Sequence, residues 1–187
     1  MDRYPFREDK DDFLFFLGRA DEEKAPDLAI RAARRAGRRL VLCATTKNER
    51  ERGYWAANVE PILGDDVDVR GEVSHEEKAE LLGRAAALVF PIQWDEPFGL
   101  VMIEAMACGT PVVALRNGSV PEVVTDGETG FIVDSVEEMA AAVDRVGDLD
   151  PHVMRARVEE RFSAEAMVAG YERAYERALA GERAGSG

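Results

Sequence analysis

Cysteine, histidine, positive charge and long apolar runs are all scarce in this 187-residue chain, and each scarcity removes a class of function. Its two cysteines, Cys43 and Cys108, stand far apart, one in an expected strand and one in an expected helix. They make neither a disulfide framework nor a metal-ligand pair, and such usage fits a reducing, cytoplasmic setting. His75 and His152 have no ligand-like neighbours, so no metal site is expected. No apolar run approaches the ~18 residues of a membrane span, and no signal-peptide core is evident. Acidic residues outnumber basic ones, 37 to 24, for a formal charge of −13. That balance argues against nucleic acid or an anionic membrane as the main partner, although the field at one site can still favour a phosphate. The glycines fit neither G-x-G-x-x-G after the first apolar run nor a P-loop, which argues against a dinucleotide oxidoreductase and an NTPase.

What remains is a chain 46% apolar and 33% charged, long enough for one domain with a proper core. Short apolar runs alternate with helical stretches. Strands are expected at Phe13–Leu17, Arg39–Ala44, Val67–Gly71, Leu88–Ile92, Pro111–Leu115 and Phe131–Val133. Helices are expected over Lys24–Ala36 and, less regularly, Glu51–Leu63. Others open at the capping sequences that begin with Ser74 and Ser135, and an amphipathic helix starts at Ser163. Val120–Val124 reads as a short helical turn. The pattern predicts an α/β fold: a single Rossmann-like, doubly wound domain with about six parallel strands, plus a C-terminal helix. In such sheets ligands bind at the carboxyl ends of the strands, near the switch in strand order. Residues 1–11 read as a hinge or linker stub, 12–180 as the domain, and 181–187 as a flexible tail.

The most informative stretch is Phe90 to Pro111, FPIQWDEPFGLVMIEAMACGTP. It puts Glu96 in a Pro/Gly turn after an apolar strand and Glu104 alone inside a mostly apolar helix. Gly99 reads as the helix start, Gly109 and Pro111 as its C′ glycine and stop. A helix that apolar is buried, so Glu104 needs hydrogen-bond donors, either from the protein or from a ligand rich in hydroxyls such as a ribose diol. The amides of Phe98, Gly99 and Leu100 lie at the positive end of this helix, where they suit a phosphate oxygen. Upstream, Gly18-Arg19 ends the first strand and Lys24 opens the next helix. Two cations beside a helix N-terminus suit a diphosphate.

Glu-Pro-Phe-Gly-Leu followed by Glu-Ala-Met-Ala-Cys-Gly-Thr-Pro-Val-Val-Ala resembles the signature of glycosyltransferase family 4, retaining sugar-nucleotide enzymes of GT-B fold. The bare spacing of Glu96 and Glu104 means little in a Glu-rich chain; the surrounding string carries the resemblance. It covers about Asp12 to Leu179, the C-terminal, donor-binding half of a GT-B enzyme, so the implied N-terminal acceptor-binding domain is missing from this chain. The resemblance implies that Gly18, Arg19 and Lys24 grip the pyrophosphate and that Glu96 orients the donor sugar. Glu104 takes the ribose 2′- and 3′-hydroxyls, with the amides of Phe98, Gly99 and Leu100 on phosphate. Val73 and Lys78 match the base-contacting segment. Arg19, Lys24 and Glu96 are thus the candidate catalytic residues. The implied donor is a UDP-, GDP- or ADP-sugar, and no cofactor or metal is called for. One departure stands out: the family usually has glycine after the lysine, whereas here Ala25 and Pro26 follow. Asp66-Val67-Asp68 has the D-x-D form that binds metal in the other major glycosyltransferase fold, but it opens a strand and is expected to be a surface turn. Trp94 is expected to pack at the cleft rim, with a sugar platform as the alternative. A non-catalytic nucleotide-sugar-binding module completed by a partner chain is the other reading.

Overall fold

The computed structural model describes residues 3–184, and their side chains as far as residue 180. Six parallel strands form one sheet: β1 (Phe13–Arg19), β2 (Arg39–Thr45), β3 (Val67–Val69), β4 (Ala87–Phe90), β5 (Val112–Leu115) and β6 (Gly130–Val133). Their order is β3-β2-β1-β4-β5-β6. The chain winds outward from β1 to one edge, returns, and winds to the other, which puts the switch between β1 and β4. The expected doubly wound sheet is therefore present, each strand lying within a few residues of its sequence reading.

Strand side chains alternate between two buried layers, as a pleated sheet covered on both faces requires. Leu14, Phe16, Leu40, Leu42, Val89 and Val113 face one core. It is closed by α1 (Pro26–Arg35) and α6 (Val136–Val143). Phe15, Val41, Cys43, Leu88, Phe90 and Ala114 face the other. That side is covered by α3 (His75–Arg84), α4 (Leu100–Ala107) and α7 (Pro151–Phe162), the last contributing Met154 and Val158. At about 1.5–3 kcal/mol for each fully buried large apolar side chain, these two layers are the main source of stability.

Local signals hold where side chains cap. Ser74 accepts from the amide of Glu77 at the start of α3, and Ser135 from that of Glu138 at the start of α6. The irregular helix divides into α2 (Glu49–Tyr54), a π-helical turn over Trp55–Val59 and a 3₁₀ turn over Glu60–Ile62, where Pro61 interrupts the ladder. The helical turn near Val120 is α5 (Val120–Val123), and the final helix is α8 (Ala164–Ala184). The expected flexible tail thus begins inside α8, and its residues 185–187 lie outside the described residues. Helix α7 has no counterpart in the sequence reading. No helix among the described residues is long and apolar enough to cross a membrane.

The segment before β1 is tied to the domain at several points. Arg7 donates its amide to the carbonyl of Cys108 at 3.2 Å, and Asp11 to that of Arg84 at 2.7 Å. Lys10 Nζ reaches the carbonyls of Gly83 (3.0 Å) and Cys108 (3.1 Å) and the hydroxyl of Thr110 (2.9 Å). It thereby bridges the carboxyl-terminal ends of α3 and α4, where a cation is favoured.

Candidate functional site

The carboxyl ends of β1 and β4 open onto one side of the sheet, and the functional side chains gather there. A cleft of about 460 Å³ is lined by Gly18, Arg19, Lys24, Val73, His75 and Lys78, among others. Five of the sequence-predicted residues thus meet around one concavity, although 54 residues separate Lys24 from Lys78 in the chain. Glu96 and Glu104 join the group through ion pairs: Lys24 Nζ bonds Glu96 Oε2, and Lys78 Nζ donates to Glu104 Oε1 at 2.6 Å. All four side chains are less than one-fifth exposed.

Lys24 is fixed from several sides. Its ammonium lies 5.4 Å from the Trp94 ring centroid and 5.8 Å from that of Phe90. Trp94 in turn donates Nε1 to the same Glu96 oxygen at 2.9 Å. Trp94 thus packs beside the cleft-lining Lys24 and also orients Glu96. The turn before Lys24 is held by Asp21, whose carboxylate accepts the Lys24 amide at 2.9 Å and whose carbonyl accepts that of Ala25 at 2.9 Å. Ala25 adopts φ +47°, and among the described residues it is the one non-glycine in the left-handed region. The conformation that glycine would take freely is therefore kept despite a methyl group, and Pro26 then starts α1 with its φ already helical.

Arg19 is less committed to the cleft. It is about half exposed and is shared among Glu23 (2.8 Å), Asp21 (3.2 Å) and Glu51 (3.9 Å). Glu51 is held well below its usual carboxyl pKa, first by the amide of Lys47 and then by Arg19 and Asn48. A phosphate would have to draw Arg19 away from these carboxylates.

Helix α4 begins at Gly99, whose φ of +72° is left-handed. A Cβ there would come within 2.6 Å of Met102 Cε. No side chain caps the first turn of α4, so its amides are free of the usual competitor for an incoming anion. Phe98 packs edge-on against Phe162, with ring centroids 5.9 Å apart, and Leu100 is exposed. For these two residues the backbone, not the side chain, faces the question of binding.

Several contributors escaped the sequence reading. The hydroxyl of Tyr4, from the segment read as a linker stub, donates to Glu104 Oε1 at 2.7 Å. Glu104 therefore has protein donors, which was one of the two alternatives for a buried carboxylate. Desolvation, and then the bond to Glu104, push the Tyr4 pKa upward, so its hydroxyl stays protonated and donating. Gly118 and Ser119 hold the Glu96 turn from the far side. The Ser119 amide donates to the Glu96 carbonyl at 2.8 Å, and a Cβ on Gly118 would fall 2.2 Å from the Glu96 nitrogen. His75 lines the cleft with Nε2 buried and unpaired, and meets the Tyr4 ring edge-on at 5.5 Å. The D-x-D residues point elsewhere: Asp66 accepts both arms of Arg34 (2.8 and 2.9 Å), and Asp68 accepts Arg70.

A six-stranded parallel sheet with an anion-ready helix, two cations and two carboxylates at its switch point defines one Rossmann-like half of a GT-B fold. The chain belongs to the glycosyl transferases group 1 family, whose model matches residues 2–162. A D-inositol 3-phosphate glycosyltransferase of Mycolicibacterium smegmatis is 35% identical over 175 residues, 85% of this chain but 39% of that protein. The protein of the same name from Mycobacterium tuberculosis (strain F11) is 37% identical over 140 residues, 70% of this chain and 28% of its own length. Among solved structures, AviGT4, a glycosyltransferase involved in avilamycin A biosynthesis, has a TM-score of 0.74 at 33% identity, covering 96% of this chain and 55% of that one. Anabaena Alr3699/HepE, crystallised with UDP, has a TM-score of 0.78 at 21% identity over 90% of this chain and 49% of its own, a likeness of fold alone. The chain therefore spans about two-fifths or less of these curated relatives and about half of these structures.

Proposed function

We propose that this chain is the donor-binding domain of a retaining, metal-independent glycosyltransferase of family 4. In this reading it holds a nucleoside-diphosphate sugar for transfer to an acceptor carried by a domain outside this chain, in the cytoplasm. The observation that carries it is the convergence of Lys24, Glu96, Lys78, Glu104 and the uncapped start of α4 around the switch-point cleft. Residues 12–180 act as the binding domain, with 1–11 as the hinge segment.

Each group has a task that its chemistry supports. The α4 amides and Lys24, with Arg19 once released from its carboxylates, stabilise the diphosphate as it leaves, in place of a metal. Glu96, fixed by Lys24 and Trp94, accepts hydroxyls of the donor sugar and orients it. Gly18 lets the diphosphate approach the end of β1. Val73 and Lys78 border the base and ribose, and Glu104 accepts the ribose hydroxyls. Glu96 is assigned no nucleophilic role. The exposed apolar residues Met167, Val168, Tyr171, Tyr175 and Leu179 on α8 favour a second reading, a binding module completed by another chain.

Titration calorimetry against UDP-, GDP- and ADP-sugars tests the first reading. One nucleotide class is expected to bind, with equal affinity in magnesium and in a chelator. A strict metal requirement, or no binding of any of them, would overturn it. Incubation with the bound sugar and candidate acceptors, alone and with a partner chain, then separates enzyme from binder.

A further inference from the structure

Glu104 is held by a residue that the proposed function does not use. Tyr4 and Lys78 donate to the same oxygen of Glu104, Oε1, at 2.7 and 2.6 Å. No hydrogen bond from the described residues reaches Oε2. A carboxylate accepts through about four lone-pair directions, so two donors on one oxygen fix the group without exhausting it. The arrangement also neutralises Glu104 within a mostly buried setting, which removes most of the cost of keeping it there.

Tyr4 is itself held. Arg155 of α7 donates Nη1 to the carbonyl of Tyr4 at 3.2 Å and to that of Ala107, at the end of α4, at 3.1 Å. The same guanidinium lies 5.7 Å from the Phe6 ring centroid. His75 packs against the edge of the Tyr4 ring. Tyr4 is thereby held from three elements at once, its ring by α3, its hydroxyl by α4 and its carbonyl by α7. A loosely attached linker residue would show none of these contacts.

We propose that Tyr4 is a positioning residue for the nucleotide: it anchors Glu104 Oε1 so that Oε2 is presented to a ribose hydroxyl. The segment before β1 is then part of the donor site and not merely a tether. The inference rests on the reading of Glu104 as the ribose-binding carboxylate. It adds that selectivity for a ribose depends on a tyrosine 100 residues away in sequence. A pre-fixed acceptor loses less orientational freedom when the ligand arrives, and Tyr4 supplies that fixation.

The test uses Tyr4→Phe, which keeps the ring against His75 and deletes only the donor. UDP, GDP and ADP are titrated into the wild-type chain, and the tightest is compared with its 2′,3′-dideoxy counterpart. The wild type is expected to prefer the ribonucleotide by about tenfold, the scale of one good hydrogen bond to a charged group. Tyr4→Phe is expected to lose most of that preference while binding the dideoxy nucleotide nearly as before. In a Glu104→Gln background Tyr4→Phe should change the ratio no further, whereas a merely structural tyrosine would weaken both nucleotides alike in either background. Should Tyr4→Phe fail to fold, Arg155→Gln releases the Tyr4 carbonyl and is expected to give a partial version of the same loss. A wild type that binds nucleotide with no ribose preference would overturn the reading of Glu104, and this inference with it. A preference that survives Tyr4→Phe would overturn the inference alone. Tighter ribonucleotide binding by Tyr4→Phe would show Tyr4 to be a competitor for Glu104, which also overturns it.

Discussion

At the scale of single residues, the site is an exercise in fixing charges before a ligand arrives. Lys24 and Glu96 are both mostly buried, and each would be costly there without the other. Trp94 and Phe90 supply the walls, and the backbone of Gly118 presses on that of Glu96 from the opposite loop. Gly118 has φ +51°, and a methyl group there would overlap backbone atoms, which have no rotamer to escape into. Gly118→Ala is therefore expected to lower stability by at least about 2 kcal/mol, from left-handed strain and from displacement of the Glu96 turn. It should weaken binding of a nucleotide sugar more than that of the bare nucleoside diphosphate, because Glu96 faces the sugar in the proposed pose. Denaturant unfolding and calorimetry with both ligands check the two halves. Equal weakening for both ligands would mean that the Gly118 loop acts on the fold and not on the sugar.

At the scale of elements, the turn into α1 is the place where sequence and conformation disagree. Ala25 is left-handed, yet its methyl is almost fully buried. Ala25→Gly relieves strain of about 1 kcal/mol. It also forfeits about 0.8 kcal/mol of methyl burial and gains unfolded-state freedom of similar size. The variant should stay within about 1 kcal/mol of wild type. Ala29, fully buried in the body of α1, lacks the compensating relief. Ala29→Gly should cost about 2 kcal/mol, from helix propensity plus lost burial. Urea midpoints of the two variants, compared at equal slope, decide it. A loss at Ala25 as large as that at Ala29 would mean that the left-handed turn carries no strain to relieve.

Most elements were legible because period and punctuation agreed. The strands were short apolar runs, α3 and α6 announced themselves by serine caps, and α4 lay between Gly99 and Gly109. Helix α7 was not legible for a physical reason: only Met154 and Val158, one turn apart, are buried in it, and charged residues fill half of its other positions. Two apolar anchors in twelve residues give no stripe to read. The segment before β1 was illegible in another way. Its attachment depends on Arg7, Lys10 and Asp11 meeting backbone carbonyls or side chains about 70 to 100 residues away, and polar residues carry no period. The candidate site divides along the same line. Glu96, Glu104, Lys24 and Lys78 were found because a local string marked them. Tyr4, Gly118 and Ser119 reach the site through tertiary contact alone.

At the scale of the whole molecule, the cleft at the switch point is open on one side, and the chain spans only part of its relatives. Sugar transfer needs an acceptor held in line with the anomeric carbon, and such positioning can account for about 7–11 kcal/mol of barrier lowering. In the proposed function a facing domain would also exclude water and so strengthen the hold of Lys24 and Arg19 on the diphosphate. In the open cleft Arg19 is half exposed and spends its charge on three neighbouring carboxylates. Solvent screens what remains of its field. The chain by itself is therefore expected to bind donor and to transfer essentially no sugar. The apolar side chains along α8 give a facing domain something to grip, since Met167, Val168, Tyr171, Tyr175 and Leu179 are all more than half exposed. Supplying in trans the N-terminal half of a relative such as AviGT4 should raise transfer above the level of either piece. Changing Tyr171 and Tyr175 together to Ser should abolish that gain while leaving nucleotide affinity unchanged, because neither lines the cleft. The readout is radiolabelled sugar moved to acceptor, set against calorimetric binding in the same preparation. Robust transfer by the purified chain alone would overturn this division of labour between the two halves.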